Sequence, residues 1–252
     1  MTEIDTQDDT TEKRVALVTG SATRLGREIA MTLHGAGFDL CVHHHTSTGE
    51  ATEFVNLLNS KRINSAFAIR QDLKDGNSAS EIVSKLKTHR NRLDLLVNNA
   101  SLFYKSSLSK NSIEDWDNMM ICNARAPYYL SLSSAPLLRK NLGSIINISD
   151  IHGNRPRPDY SIYCASKAAL NAVTQSLAIE LAPEIRVNAV APGAIIWADS
   201  EKKQERFEAL QVTPLKRTGT PRDISGAVLY LAESSYVTGQ ILKIDGGRDL
   251  NI

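Results

Sequence analysis

A tyrosine and a lysine four residues apart form the pair whose chemistry is easiest to define in this sequence. Tyr163 and Lys167 lie in a stretch of helical periodicity, so this spacing places the phenol and the ammonium on one helix face. An unperturbed tyrosine has a pKa of about 10. A cation about 4 Å away, at an effective dielectric constant of about 20, contributes about 4 kcal/mol, which lowers that pKa by up to ~3 units before burial opposes the shift. The pair predicts a proton donor and acceptor suited to neutral pH, although the same spacing is common on helices without function.

Two glycines and an arginine follow the first predicted strand. In the segment Thr19–Gly26, Gly20 allows a tight turn and Gly26 lets the next helix pack closely on the sheet. The helix N-terminus around Arg24 and Leu25 offers backbone N–H groups and a positive dipole end to a phosphate. An ordinary strand–helix turn is the alternative. The position in the first βαβ unit favours a dinucleotide.

The end of the second predicted strand lacks the acidic residue that NAD enzymes place on the ribose 2′-hydroxyl, about 20 residues after the glycines. The sequence has instead His44, His45, Thr46 and Ser47, with no carboxylate before Glu50. Imidazole and hydroxyl donors suit a 2′-phosphate, and Arg24 adds a positive charge, so the segment favours NADP(H). A metal site at His43, His44 and His45 is the alternative. Strand alternation points His44 away from the other two, and no cysteine or acid completes a ligand set, so no metal is predicted.

Short apolar segments alternate with helical segments along the chain. The alternation predicts one α/β domain, residues 14–252, with a doubly wound parallel sheet of about seven strands. The predicted strands are Arg14–Thr19, Phe38–His45, Ala66–Ile69, Leu93–Val97, Ser144–Ile148, Ile185–Val190 and Gln240–Ile244. The predicted helices are Leu25–Leu33, Ala51–Leu58, Ser78–Leu86, Ile113–Leu138 with an interruption at Pro127, Tyr160–Leu181 and Arg222–Ala232. Residues 1–13 are polar and acidic and are expected to form a flexible tail.

Composition excludes several classes of protein. The 252 residues carry 29 Lys and Arg against 28 Asp and Glu, and this net charge of +1 disfavours binding to nucleic acid or to anionic membranes. The longest uncharged run, Ala126–Leu138, is too short and too polar to cross a bilayer. Cys41, Cys122 and Cys164 lie far apart without ligand spacing, which indicates reduced thiols in a cytoplasmic protein.

The motifs occur together in an order that resembles the short-chain dehydrogenase/reductase family. They are Thr-Gly-x-x-x-x-x-Gly at Thr19–Gly26, Asn98-Asn99-Ala100, Tyr163-x-x-x-Lys167, Pro192-Gly193 and Asp245-Gly246-Gly247. The resemblance covers residues 14–247. It implies a Rossmann-like fold, a nicotinamide cofactor, hydride transfer and a homotetramer.

The resemblance also implies roles for residues at matching positions. Tyr163 would be the acid/base, and Lys167 would hold the nicotinamide ribose and lower the pKa of that tyrosine. Asn123 would maintain a helix kink and a proton-relay water. The remaining cofactor contacts would come from Asp72 at the adenine, from Asn99 and Ala100 at the adenosine ribose, and from Leu73, Pro192 and Gly193.

Departures from the family pattern point to one branch. Asp150 stands where most members have a serine, 13 residues before the tyrosine, and Arg24 and Ser101 replace glycines. A carboxylate only accepts hydrogen bonds and opposes a developing oxyanion, so it suits a substrate with N–H donors or with a ring nitrogen that must be protonated. Phe103 is placed to stack on a flat ring, although core packing is the commoner fate of a phenylalanine.

These departures, with Asn99–Tyr104 and the closing Asp245–Leu250, resemble the pteridine reductases and the bacterial dihydromonapterin reductases. The expected function is NADPH-dependent reduction of dihydropterins, with folate-like pterins as further substrates. Arg24, Ser101, Phe103, Asp150 and Tyr163 would contact the pterin, and the segment Ala194–Thr213 would cover it. The alternatives are a 3-oxoacyl or other ketone reductase of the same fold and a regulatory protein that binds NADPH without chemistry. Thr46, where some members carry an arginine, weakens the prediction of NADPH.

Overall fold

The computed structural model describes residues 13–108, 112–197 and 203–252, and in these residues seven strands form one parallel sheet. The strands are β1 (Val15–Val18), β2 (Asp39–His44), β3 (Ala66–Arg70), β4 (Leu95–Asn98), β5 (Ser144–Ile148), β6 (Arg186–Pro192) and β7 (Ile241–Ile244). Their order across the sheet is β3-β2-β1-β4-β5-β6-β7. The chain winds outward in both directions from β1 and β4, and this switch point is where open sheets of this type bind ligands. The predicted α/β class and the parallel sheet are confirmed.

Helices cover both faces of the sheet. They are α1 (Arg24–Gly35), α2 (Thr48–Lys61), α3 (Ser78–His89), α4 (Ile113–Met120), α5 (Ala126–Arg139), α6 (Ser161–Glu180), α7 (Lys203–Val212) and α8 (Pro221–Glu233). Helices α1, α2 and α8 bury apolar residues on one face, and α3, α5 and α6 bury theirs on the other.

The inner strands are apolar on both faces because each face meets a helical layer. In β1, Val15 and Leu17 point into the core beneath α3, α5 and α6, whereas Ala16 and Val18 point into the opposite core. Continuous apolar runs of this kind are expected in a parallel sheet that helices cover on both sides. The sheet is therefore a rigid platform, and its carboxyl edge presents the loops that carry the motifs.

The break in the predicted long helix does not lie at Pro127. The α4–α5 stretch is interrupted by one π-helical turn, Ile121–Arg125, and Pro127 lies in the first turn of α5. Proline is tolerated there because the N–H groups of a first turn have no partner within the helix. The π-helical turn instead contains Asn123, whose side chain bonds to a neighbouring loop.

Further predictions concerned the segment 194–213, the N-terminal residues, the cysteines and the absence of a membrane-spanning helix. Residues 194–213, where no helix is predicted, contain helix α7, and residues 198–202 lie outside the described part of the chain. Residues 1–12 of the predicted tail also lie outside it. All three cysteines are free and buried. Among the described residues, no helix combines the length and the apolar character that crossing a membrane requires.

Candidate active site

The predicted dinucleotide loop lies at the switch point, between the ends of β1 and β4. Gly20 has a φ of +62°, which favours glycine, and a Cβ on Gly26 would lie 2.3 Å from the carbonyl oxygen of Gly20. The Asn99 side chain donates to the carbonyl oxygens of Thr19 (2.9 Å) and Gly20 (3.2 Å). The amides of Asn99 and Ala100 donate to the Thr19 hydroxyl, at 2.9 and 3.0 Å. The turn after β1 is thus held against the end of β4.

Arg24 and Leu25 occupy the first turn of α1. Arg24 has a φ of +49°, in the left-handed region, which explains why this position favours glycine in the resembling family. Its exposed guanidinium donates to the carbonyl oxygen of Trp197 at 3.4 Å, so it already touches the segment expected to cover the substrate. Leu25 packs against the core beneath α1, which leaves its backbone N–H as the group it can offer to a phosphate.

His43 is a residue of this site that sequence reasoning assigned only to the rejected metal cluster. Its buried imidazole accepts at Nδ1 from the Gly20 N–H (3.2 Å), and its Nε2 lies 3.1 Å from the carbonyl oxygen of Gln71. Because a carbonyl only accepts and an amide only donates, the ring must be the neutral Nε2–H tautomer. Burial lowers its pKa to about 4, which keeps it neutral. His43 therefore links the turn after β1 to the loop after β3.

The predicted adenosine residues surround the ends of β2 and β3. His44 is buried, whereas His45 and Thr46 are exposed and Ser47 precedes α2. His45 Nε2 lies 3.6 Å from the Asp72 carboxylate. The Leu73 side chain is buried in the core, so only its backbone faces the loop. Among the residues that the structure describes, no group of histidines, cysteines and acids could hold a metal ion.

Tyr163 and Asp150, both predicted to be catalytic, form a hydrogen-bonded pair. The Tyr163 hydroxyl donates to Asp150 Oδ2 at 2.8 Å, and the other carboxylate oxygen accepts from the His152 N–H at 2.8 Å. Burial, followed by the charge of Asp150 and this hydrogen bond, raises the pKa of Tyr163 well above its ordinary value. The net shift is therefore upward, because burial and Asp150 outweigh the lowering that the Lys167 charge was predicted to produce. The reasoning from helical spacing named the opposing effect of burial but left out the Asp150 carboxylate, which raises the pKa further.

Lys167 lies beneath the tyrosine with most of its hydrogen-bonding capacity unused. Its buried ammonium is 5.7 Å from the centre of the Tyr163 ring and donates to the carbonyl oxygen of Ile148 at 2.8 Å. Burial lowers its pKa to about 8, and the Asp150 charge opposes that shift. An ammonium has three donors, and the hydroxyls of a ribose would satisfy the remaining two. This amine therefore fits the predicted cofactor.

Asn123 fixes the loop that carries the predicted substrate residues. Its Oδ1 accepts from the Leu102 N–H at 2.8 Å, and its Nδ2 donates to the Leu102 carbonyl (2.9 Å) and to the Ser166 hydroxyl (3.0 Å). These bonds connect the π-helical turn, where the resemblance implied a kink, to the loop after β4 and to α6. One lone pair of Oδ1 is the remaining capacity of this side chain for the expected relay water.

Phe103 lies beside the tyrosine, within an aromatic cluster. Its ring stacks on Tyr160, with centroids 4.8 Å apart and planes at 18°, and meets Tyr163 edge-on at 4.7 Å. The core-packing alternative therefore holds for the face against Tyr160, and a flat substrate would use the opposite face. Ser101 is exposed two positions earlier.

Pro192 and Gly193 end β6 on the other side of the site. A Cβ on Gly193 would lie 2.8 Å from Asp245, so this turn is packed closely against the end of β7. Trp197, a little further on, has the guanidinium of Arg206 over its ring.

Comparisons with known proteins agree with this geometry. The profile of the family described as Enoyl-(Acyl carrier protein) reductase matches residues 20–249. The chain is 33% identical to pteridine reductase 1 of Leishmania tarentolae, over 94% of this chain and 96% of that protein. It is also 33% identical to a 3-oxoacyl-[acyl-carrier-protein] reductase of Staphylococcus aureus, over 92% and 96%. These matches span nearly the whole sequence, and with the parallel sheet and the Tyr163–Lys167 pair they show that the chain belongs to the short-chain dehydrogenase/reductase family.

Proposed function

We propose that this oxidoreductase is an NADPH-dependent pteridine reductase, which converts dihydropterins to tetrahydropterins and accepts folate-like pterins. The observation that carries the proposal is the 2.8 Å hydrogen bond from the Tyr163 hydroxyl to the Asp150 carboxylate. Sequence identity does not choose between a pterin and a 3-oxoacyl substrate, because relatives of both kinds are 33% identical. The choice depends on what this pair can do.

A carboxylate at position 150 is unfavourable for ketone reduction. Reduction of a carbonyl places negative charge on the oxygen, and a nearby donor stabilises that charge whereas a carboxylate repels it. Reduction of a C=N bond instead requires a proton at nitrogen. Asp150 accepts hydrogen bonds from N–H groups and stabilises positive charge at a ring nitrogen. A pterin presents both features.

The cofactor supplies a hydride to the ring carbon of the C=N bond when it is bound. The similarity to a pteridine reductase and to a 3-oxoacyl-[acyl-carrier-protein] reductase supports NADP(H) as this cofactor. The turn at Gly20 and Gly26 and the first turn of α1 would hold the pyrophosphate. Lys167 and Asn99 would hold the two riboses, and His44, His45, Thr46 and Ser47 would face the adenosine 2′-phosphate.

Proton transfer is the task of the protein. At neutral pH the raised pKa of Tyr163 keeps its hydroxyl protonated, so it is a donor and not a base. We assign the substrate proton to the Tyr163 hydroxyl, whose single hydrogen would turn from Asp150 to the ring nitrogen of the substrate. Lys167 would stabilise the phenolate that remains. Each reduction adds one hydride at carbon and one proton at nitrogen, and solvent restores the proton on tyrosine.

The substrate would lie between the nicotinamide and the free face of Phe103. Ser101 and Arg24 would border it, and the segment after Gly193, up to α7, would cover it. The aromatic cluster with Tyr160 and Tyr163 fixes the Phe103 ring, so its stacking face is preorganised.

A 3-oxoacyl reductase is the second candidate, since the relative from Staphylococcus aureus matches equally well. The test is NADPH oxidation by purified protein with 7,8-dihydrobiopterin and, separately, with an acetoacetyl thioester. We expect turnover of the pterin alone, and we expect Tyr163→Phe to abolish it with unchanged thermal stability. Asp150→Ser restores the residue usual in the family and should lose pterin turnover selectively. Turnover of the thioester by the wild-type protein, with none of the pterin, would establish a ketone reductase. NADPH binding without turnover of either substrate would favour a regulatory protein.

We also propose that the protein assembles as a homotetramer. Strand β7 lies at one edge of the sheet and is only partly buried, and Tyr236 beside it is fully exposed. An unpaired strand edge with exposed apolar residues is a surface that a second copy would cover. Sedimentation equilibrium would test this assembly.

A further inference from the structure

The sequence lacks an arginine at Thr46, the position where some family members carry one, and the neighbouring strand supplies a cation nearby. Arg70 is the last residue of β3, and its partner in the parallel register is His44. Its Nε donates to the carbonyl oxygen of His45 at 3.2 Å, which holds the exposed guanidinium at the end of β2. Among the described residues no carboxylate lies within ion-pair distance of it. Its charge is therefore available to a ligand.

One ring nitrogen of His44, at the same place, also lacks a partner among the described residues. His44 is 5% exposed, and the nitrogen without a hydrogen-bond partner there is Nδ1. Neighbouring strands lie about 4.8 Å apart, so the side chains of His44 and Arg70 are adjacent on one face of the sheet. That face is the one that α2 covers. The charge of Arg70 contributes to lowering the pKa of His44, after burial, as expected for close neighbours.

The N-terminus of α2 completes the cluster. Ser47 occupies the N-cap position and its side chain makes no capping hydrogen bond, so its hydroxyl remains available. The Thr48 N–H donates to the Thr46 carbonyl at 2.9 Å, and the N–H groups of Gly49 and Glu50 are the ones that this end of α2 can offer. Two acids are nearby. Glu50 lies in the first turn of α2, and Asp72 is engaged by His45 at 3.6 Å and by the Lys74 N–H at 2.9 Å. Beside these acids, the Arg70 guanidinium and the Ser47 hydroxyl are the groups that could bind a dianion.

We infer that Arg70 supplies the fixed positive charge that binds the adenosine 2′-phosphate and so selects NADPH over NADH. The inference rests on the proposed use of NADPH. A guanidinium presents paired N–H donors that match phosphate oxygens, and its charge does not depend on pH in the physiological range. His44 and Ser47 contribute neutral hydrogen bonds. A cation on β3 thereby takes the role that an arginine at position 46 would have.

The test uses two cofactor fragments that differ only in the 2′-phosphate. Adenosine 2′,5′-bisphosphate and adenosine 5′-monophosphate are titrated calorimetrically into the wild-type protein and into Arg70→Ala. We expect the variant to bind the bisphosphate about tenfold more weakly or worse, since one charge-assisted contact is lost, and to bind the monophosphate as before. Lys61→Ala is the matched control. It removes the same charge at the other end of α2, about 20 Å away, and should change neither affinity.

A second variant moves the positive charge from position 70 to position 46. Thr46→Arg in the Arg70→Ala background should recover bisphosphate affinity. Recovery would also show that Arg70→Ala had not simply distorted β3. Equal weakening of both fragments, no weakening of either, or no recovery in the double variant would overturn the assignment of Arg70.

Failure of the proposed function is recognised separately. Equal binding of both fragments by the wild-type protein would refute both the selection of NADPH over NADH and the role of Arg70 in it. Turnover of 7,8-dihydrobiopterin decides the pterin assignment independently, because fragment binding requires no substrate.

Discussion

For NADPH binding, the contact of His43 Nδ1 with the Gly20 N–H should matter more than the contact of Nε2 with the Gln71 carbonyl oxygen. Substitution by asparagine or by glutamine separates the two contacts. In His43→Asn, the shorter side chain would place its amide near the position of Nδ1, where its oxygen can still accept from the Gly20 N–H. In His43→Gln, the longer side chain would reach the position of Nε2, where its NH₂ can still donate to the Gln71 carbonyl. We therefore expect His43→Asn to retain NADPH affinity and His43→Gln to lose it.

The magnitude follows from which group is left without a partner. In His43→Gln, the partly buried Gly20 N–H loses its acceptor, and leaving a buried donor unsatisfied costs about 1–3 kcal/mol. At about 1.4 kcal/mol per factor of ten, a cost of this size at a turn that must keep its shape corresponds to roughly 5- to 100-fold weaker cofactor binding. In His43→Asn, the Gln71 carbonyl loses a donor instead, which is tolerated better.

A pH series provides a second, independent measure. The pKa of His43 is about 4 in the folded protein and about 6.5 in the unfolded chain, so between these values the unfolded state binds more protons. The stability that the neutral ring confers is complete above pH 6.5 and is lost as the pH falls through 4. At 1.36 kcal/mol per pKa unit, the wild-type protein should lose about 3 kcal/mol more than His43→Asn over this window.

The assays are urea unfolding from pH 4 to 7 and fluorescence titration with NADPH at pH 7. Equal affinities in the two variants would refute the argument from the Gly20 contact. Identical pH dependence in the wild-type protein and His43→Asn would show that the imidazole does not carry the linkage.

Two further predictions concern groups close to the cofactor. The pKa of Lys167 is about 10.4 in the unfolded chain and about 8 in the folded protein, so the folded protein becomes more stable as the pH rises between these values, and Lys167→Met should abolish this effect. In urea unfolding, the wild-type protein should gain about 3 kcal/mol of stability between pH 8 and 10.4 relative to the variant. Parallel stability curves for the two proteins would contradict this prediction. Gly26→Ala should weaken NADPH binding more than tenfold and destabilise the fold by about 1–3 kcal/mol, because the new Cβ would lie only 2.3 Å from the Gly20 carbonyl oxygen. Gly35→Ala is the control: no heavy atom lies within 4 Å of its Cβ, so this variant should be neutral or stabilising. Equal effects of the two substitutions would refute the argument from overlap at Gly26.

The order of strands and helices could be predicted from the sequence because each signal is local. The periodicity of apolar residues identifies the seven strands and most helices within a few residues. The same local reasoning places the helix interruption at Pro127, because proline is the strongest local breaker. Its true position depends on Asn123 meeting the Leu102 backbone, 21 residues earlier in the chain. No local pattern contains that contact.

The roles of His43 and Arg70 could not be predicted because they depend on strand register. Arg70 lies beside His44 only because β2 and β3 pair in parallel, and His43 reaches Gly20 only because β2 is adjacent to β1. The sequence did contain a weak signal for each residue. His43 alternates with His44 on a strand, and Arg70 ends an otherwise apolar strand, where a charged side chain lies at the edge that binds ligands.

The aspartate at position 150 changes the charge balance of the whole reaction centre. With a serine there, the buried ammonium of Lys167 would be the charge nearest the substrate, which suits a developing oxyanion. Asp150 interacts electrostatically with that ammonium and also raises the pKa of Tyr163. The centre then combines one cation, one anion and a tyrosine that retains its proton. Such a centre gives little stabilisation to negative charge on a ketone oxygen, but it can protonate a ring nitrogen and stabilise the positive charge that appears there before the hydride arrives. Under the proposed function, Asp150 would thus favour reduction of a C=N bond over reduction of a ketone.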